Sequence, residues 1–312
     1  MQYTPFHQYQ VSKLALGTIQ LGMNYGIANT GGAPSEMESF SLLDLARTAG
    51  INTFDSARTY GKAEQILGAY FNKLPACDDL IISKFKYDWS PRQSLEKAWE
   101  LTEASIKASL TDLKRTQIGL VLYHKGAAEP MEEVFRIVPV LINRLKEKGY
   151  IQHGGISLYY SAEAHSLIDD PVFEAVQLPL NVFDQGIIQD GTLADLSTKG
   201  KLIFVRSVFL QGLFFRNPSE LSGVLTQAIP FLTQLEGLAR RYEFSVSELA
   251  FGFIRDLPEV HSLVIGAENQ KQILSNLELL HGPTLPDSLK NELRELCKDV
   301  PKEVITPGLW NR

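Results

Sequence analysis

Eight short, apolar, β-branched runs separated by longer stretches of helical period set the strongest limit on what this chain can fold into. They occupy residues 14–18, 51–54, 80–84, 118–123, 151–157, 174–178, 202–206 and 261–265. Their starts fall about thirty residues apart, the size of a strand–helix unit, and strands alternating with helices call for a parallel sheet. Between them Met131, Val134, Phe135, Val138, Leu141, Ile142 and Leu145 recur at three and four residues, which is one apolar helical stripe. Leu95, Ala98, Trp99, Thr102, Ile106, Ser109 and Leu113 nearly repeat the pattern. The last interval is almost double, leaving room for an added helix or loop within residues 211–259. Residues 3–13 could form a hairpin closing the bottom of a barrel, and residues 286–298 carry a final helix.

Eight parallel strands could open into a doubly wound sheet or close into a barrel. The polar residues at the strand ends decide: Thr18, Asp55, Lys84, His124, Ser157, Gln177, Arg206 and Glu268 stand at or just beyond the eight C-termini. In a (β/α)8 TIM barrel those ends meet at one mouth, where the chemistry of the fold is built. A GxGxxG fingerprint after an early strand is absent, which weighs against the open alternative. The expectation is one α/β barrel domain over residues 1–312, a length such barrels fill alone.

Composition narrows the function classes. A net charge of −6 without a run of lysines or arginines gives no surface for nucleic acid. No basic leader with an apolar stretch opens the sequence and no span approaches a membrane-crossing length, so a cytoplasmic protein, away from membranes, is expected. Cys77 and Cys297 form no CxxC pair and read as reduced thiols, with no metal site implied. With no separate assembly element visible, the expectation is a monomer.

The stretch Asn52-Thr53-Phe54-Asp55-Ser56-Ala57-Arg58-Thr59-Tyr60-Gly61 ends the second strand in a carboxylate and places a tyrosine five residues on. Ile82-Ser83-Lys84 and Leu122-Tyr123-His124 end the next two strands. Hydride transfer to a carbonyl develops negative charge on its oxygen, so a proton donor must stand there. A free phenol titrates near pH 10, and an adjacent ammonium favours its ionised form. A lysine in a dry pocket tends to lose its own proton unless a carboxylate holds it charged. Singly, each residue has a bland reading: an Asp in a turn, a packed Tyr, a solvated Lys, a satisfied His. Four required types on three consecutive strand ends are harder to explain as packing.

These three segments resemble the signature regions of the aldo-keto reductases, and the resemblance extends from residue 14 to residue 276. It implies a (β/α)8 barrel using NADH or NADPH without metal, with Tyr60 as acid, Lys84 and Asp55 as its support and His124 orienting a small carbonyl substrate. By the same resemblance Gly17, Thr18 and Ile19 approach the nicotinamide ribose, and Ser157 and Gln177 hold the carboxamide, Asp55 lying beside them. The family often has Asn after that serine, where this chain has Leu158. Many relatives place an aromatic ring at Arg206 to stack on the nicotinamide; a guanidinium can stack too, or it can bind an anionic group of the substrate. Ser207, Phe209, Gln211 and Leu213 match a loop that wraps the pyrophosphate. Gly266, Glu268, Gln272 and Asn276 match the adenosine side. Relatives selective for NADP often carry Ser, Lys or Arg at Glu268. A carboxylate there repels a 2′-phosphate and accepts from a free ribose hydroxyl, so NAD is the expected cofactor. Lys271 nearby keeps NADP open.

Tyr25, Tyr87, Trp89 and Trp310 are candidate walls of a substrate pocket, and the brief connection at residues 125–130 suggests an open mouth. The segment from Arg206 to Gly212 resembles bacterial members associated with sugar pathways. Two other classes stay open: a Schiff-base aldolase using Lys84 on the same fold, and a non-catalytic, cofactor-binding accessory subunit.

Overall fold

A computed structural model describes residues 1–25, 32–75, 78–87, 89–90, 92–296 and 298–310; Cys77 and Cys297 lie outside the described residues. Two short antiparallel strands, β1 (Tyr3–Phe6) and β2 (Tyr9–Ser12), precede eight parallel ones. These are β3 (Leu14–Gly17), β4 (Thr53–Asp55), β5 (Leu80–Phe85), β6 (Ile118–His124), β7 (Ile151–Ser157), β8 (Ala175–Pro179), β9 (Leu202–Arg206) and β10 (Ser262–Gly266). They follow one another in chain order around a closed barrel, β10 pairing with β3. The (β/α)8 architecture expected from the alternating pattern is therefore present, with the hairpin in front.

Helices Glu36–Thr48, Ala63–Phe71, Leu95–Asp112 and Met131–Glu147 bridge the first five barrel strands. The crossover from β7 to β8 is a 3-10 helix, Ser161–Leu167. The long interval before β10 holds two α-helices, Ile229–Arg241 and Val246–Arg255, and Gln270–His281 follows that strand. Asp287–Leu296 and the short Lys302–Ile305 come after it.

Strand parity connects this frame to the mouth. Side chains alternate between the two faces of a strand, and Leu80, Ile82, Leu120, Leu122, Ala175, Leu202 and Phe204 form the inner cluster of the barrel. Phe6 and Val11 of the hairpin join that cluster, so the hairpin closes the floor with apolar side chains. Two residues beyond the last inner apolar position of β5, β6, β8 and β9 stand Lys84, His124, Gln177 and Arg206. Register carries the same face around the barrel: Gly266 pairs with Gly17, Gly17 with Asp55, His124 with Ser157 and Ser157 with Gln177. The polar strand ends thus form the top layer inside the barrel.

Candidate active site

Lys84 occupies the middle of this layer. Its Nζ lies 2.7 Å from both carboxylate oxygens of Asp55, 2.8 Å from the Ser56 carbonyl oxygen and 3.5 Å from the Tyr60 hydroxyl. The ammonium also stands 4.9 Å from the centre of the Tyr60 ring. Burial alone would drive the proton off, but the charge of Asp55 and the phenol oxygen outweigh it, and the lysine pKa is raised. A lysine held charged has no free electron pair, which disfavours imine chemistry.

The Tyr60 ring meets the His124 imidazole edge to face, with centroids 6.4 Å apart. Burial and the positive charges of Lys84, Arg206 and Lys86 pull His124 down to about 3, so it is neutral at physiological pH and can both donate and accept. On the far side of Asp55, Gln177 Nε2 donates to Oδ1 at 2.9 Å while Ser157 Oγ donates to the Gln177 amide oxygen at 2.8 Å. Thr18 closes the ring of contacts through its N–H and hydroxyl, both donating to the Asp55 carbonyl oxygen. Asp55, Tyr60, Lys84 and His124, predicted from three separate stretches of the sequence, are one cluster.

The loop carrying Tyr60 is pinned by residues that sequence reasoning passed over. Arg58 donates to Glu64 Oε2 at 2.9 Å and also pairs with Asp112, while Ser83 and Ser109 donate to the buried Glu64 carboxylate. Glycines allow the tight approach behind it. A Cβ on Gly22 would stand 1.8 Å from the Tyr60 carbonyl oxygen, and Gly61, at φ 57°, faces the Gly22 carbonyl.

The other predicted residues divide. Arg206 donates to the Leu158 carbonyl oxygen at 2.8 Å and to Ser207 Oγ at 3.2 Å, which fixes the guanidinium at the rim. Gln272 accepts from the Glu268 N–H at 2.7 Å through its side chain, and Asn269 caps that helix by accepting from Gln272 N–H. Asn276 is buried one turn further along. Ile19 is half-buried at the start of the short helix after β3. Tyr25 is half-buried beside residues outside the described set, and Trp89 packs on the outer core.

Two expectations need correction. Tyr87 is no pocket wall: it is 1% exposed, stacks on Tyr123 and donates to Glu129, a carboxylate that Tyr123 shares. Leu213 is fully buried, so its side chain is not open to a ligand, and the half-buried Phe209 stacks one face on Phe251. The cause lies in the turn itself: Ser207, Leu210, Gln211 and Gly212 all have positive φ, and the reversed backbone tucks Leu213 under the loop. Trp310 does line a cavity, of about 710 Å³, beside Arg206, together with Tyr159, Tyr160, Asp184 and Lys302. Burial raises the Asp184 carboxyl to about 6 against the opposing pull of Ser161 and Arg206.

The sequence profile described as "Aldo/keto reductase family" matches residues 13–298. The chain belongs to the aldo/keto reductase family. Among its relatives are a probable voltage-gated potassium channel subunit beta of Oryza sativa subsp. japonica, 23% identical and covering 90% of this chain and 94% of that one. The NADH-specific methylglyoxal reductase of Escherichia coli (strain K12) is 22% identical, covering 92% and 99%. Among solved structures, aldo-keto reductase AKR11C1 from Bacillus halodurans in its holo form superposes with a TM-score of 0.76 at 20% identity, covering 98% and 99%. That likeness establishes the shared fold. In this family member no helix among the described residues is long and apolar enough to cross a membrane.

Aldo/keto reductases act with a nicotinamide dinucleotide, and the mouth suits one chemically. Gln20, missed by sequence reasoning although it lies in Gly17-Thr18-Ile19-Gln20, has a buried side-chain oxygen without a partner among the described residues. Its amide lies over Gly266, where a Cβ would stand 2.2 Å from Nε2. Ser157 and Gln177 supply hydroxyl and amide groups suited to a carboxamide. The run of left-handed non-glycine residues after β9 is strain of the kind that collects at ligand clamps.

Proposed function

We propose that this chain reduces an aldehyde or ketone to an alcohol with a nicotinamide dinucleotide, Tyr60 giving the proton. Asp55, Ser157 and Gln177 would hold the nicotinamide end, the turn at residues 207–212 the pyrophosphate, and Glu268, Gln272 and Asn276 the adenosine. When bound, the reduced cofactor supplies the hydride. The chain's own residues do the rest. Tyr60 donates its hydroxyl proton to the carbonyl oxygen as charge develops there, at a scale of about 10²–10⁴ in rate for a positioned acid. Lys84 stabilises the phenolate left behind, and Asp55 keeps Lys84 charged. Neutral His124 donates a hydrogen bond to the same carbonyl oxygen and so orients it. Glu268 favours NADH, since a carboxylate repels a 2′-phosphate.

The observation that carries this reading is the buried ammonium of Lys84 between the Asp55 carboxylate and the Tyr60 hydroxyl. The test is consumption of NADH and NADPH, followed by absorbance, over a panel of aldehydes, ketones and keto-sugars. Turnover with at least one carbonyl is expected. Tight nucleotide binding with no turnover across the panel would favour an accessory, non-catalytic subunit, and borohydride trapping of a substrate on Lys84 would favour an aldolase.

A further inference from the structure

The floor of the barrel, at the end away from the mouth, carries a cluster that the proposed reaction leaves unused. His7 sits in the turn between β1 and β2 with φ 49°, and its ring stacks on that of His153 in β7, centroids 4.0 Å apart and planes 12° apart. Both rings turn a nitrogen toward one carboxylate oxygen. His7 Nε2 is 2.8 Å and His153 Nδ1 is 2.9 Å from Glu174 Oε2, just ahead of β8.

The surrounding hydrogen bonds fix the chemistry of these atoms. Gln8 donates through Nε2 to the Gln152 side-chain oxygen at 2.6 Å, which leaves its own Oε1 facing His153 Nε2 at 3.3 Å. His153 therefore donates from Nε2, and in its neutral form it presents the Nδ1 lone pair to a carboxylate oxygen. Two lone pairs at that separation repel; a cation shared between them turns the contact attractive. The other carboxylate oxygen, Glu174 Oε1, is held by the Lys146 ammonium and the Gly154 N–H, so Glu174 is oriented as a one-oxygen donor. Such outer hydrogen bonds are the supports that orient metal ligands.

The donor atoms are close enough for a small ion, but the stacked rings point their in-plane lone pairs nearly parallel, so sharing one requires His7 to swing out of the stack. The three donor atoms lie within 4.8 Å of one another. Ligands of a tetrahedral zinc, with bonds of about 2.0–2.1 Å, stand about 3.3 Å apart. The observed contacts to Oε2 are a few tenths of an ångström shorter, and His7, on a turn with its side chain 48% exposed, has room to yield. Two imidazoles and one carboxylate select a zinc-like ion over calcium or magnesium.

We propose that His7, His153 and Glu174 bind a divalent zinc-type cation that clips the floor hairpin to β7 and to the segment entering β8. The site is remote from Tyr60 and Lys84 and is read by binding alone, so it stands or falls separately from carbonyl reduction. The experiment uses the full chain without an affinity tag, stripped of metal by chelator and titrated with zinc chloride by calorimetry at pH 7.5. Cobalt(II) serves as an absorbing probe. One equivalent should bind and raise the melting temperature, and His7→Ala and His153→Ala should each weaken binding at least tenfold. His7→Ala changes an exposed turn residue and should fold normally, so its loss of zinc reports the site. No saturable binding, or equal binding in wild type and both variants, would overturn the proposal and leave a proton as the cation between His153 and Glu174.

Discussion

Replacing Asp55 by Asn tests the electrostatics of the mouth most sharply. The Lys84 and Asp55 side chains are 0% and 4% exposed, and the ammonium touches both carboxylate oxygens. Removing one partner of a buried pair costs about 3–5 kcal/mol, because the remaining charge is stranded. Asn keeps one acceptor oxygen, and the Ser56 carbonyl still accepts from Lys84, so a loss near about 3 kcal/mol is expected at pH 7. The pH dependence should then invert. In the wild type the Lys84 pKa is raised above 10.5. Its contribution is therefore fully present below 10.5 and fades only as pH climbs through the folded-state value. In Asp55→Asn burial is no longer opposed by the carboxylate, and the folded pKa falls below 10.5. Between those two values the unfolded chain binds the extra proton, so the variant gains stability with rising pH, at about 1.4 kcal/mol per unit. Urea denaturation at intervals from pH 6.5 to 9.5 reads this as a deficit that narrows with pH. A deficit below about 1 kcal/mol, the scale of an exposed pair, or one constant across the range, would refute the reasoning.

Other consequences can be checked independently. Glu268→Arg should shift the ratio of kcat/KM values toward NADPH by tenfold or more; an unaltered ratio would show that this carboxylate does not face the ribose. His124, depressed to about 3 by burial and by neighbouring cations, is neutral when folded and protonated when unfolded between that value and 6.5. Stability should accordingly fall as pH drops through this window, and His124→Gln should flatten the fall; identical acid profiles would mean a solvated imidazole. Gly22→Ala should displace the Tyr60 loop, because its Cβ would stand 1.8 Å from the Tyr60 carbonyl oxygen. Overpacking of this kind costs about 1–3 kcal/mol, and turnover should fall at least tenfold; wild-type kinetics would show that the loop yields freely.

Much of the architecture was legible because burial inside a barrel imposes continuous apolar strands. The runs expected at 151–157 and 202–206 are the observed β7 and β9, and the others shift by only one or two residues at an end. Lys84 and His124 were legible for a related reason: parity places a polar side chain two positions past the last inner apolar one, at the mouth, whereas Asp55 and Tyr60 stood out by their spacing in one stretch. What stayed hidden depends on partners distant in sequence. Tyr87 looked like a pocket aromatic until Glu129, 42 residues away, was seen to accept its hydroxyl. Glu64, which nothing in the sequence singles out, gathers Arg58, Ser83 and Ser109 beneath the Tyr60 loop. The family resemblance sets Leu213 in the loop against the pyrophosphate, whereas after the left-handed residues 210–212 its side chain is fully buried. The β7-to-β8 crossover is a 3-10 helix where an alternating strand–helix pattern calls for an α-helix.

The claim on which the account rests is that Lys84 acts on the reaction through Tyr60. Single-turnover rates of nicotinamide oxidation by a saturating carbonyl, measured in wild type, Tyr60→Phe, Lys84→Met and the double variant, address it directly. The account predicts a loss of about 10² or more in each single variant, and a double variant no more than a few-fold slower than the worse single one. Wild-type rates in Tyr60→Phe, or losses that multiply in the double variant, would contradict it.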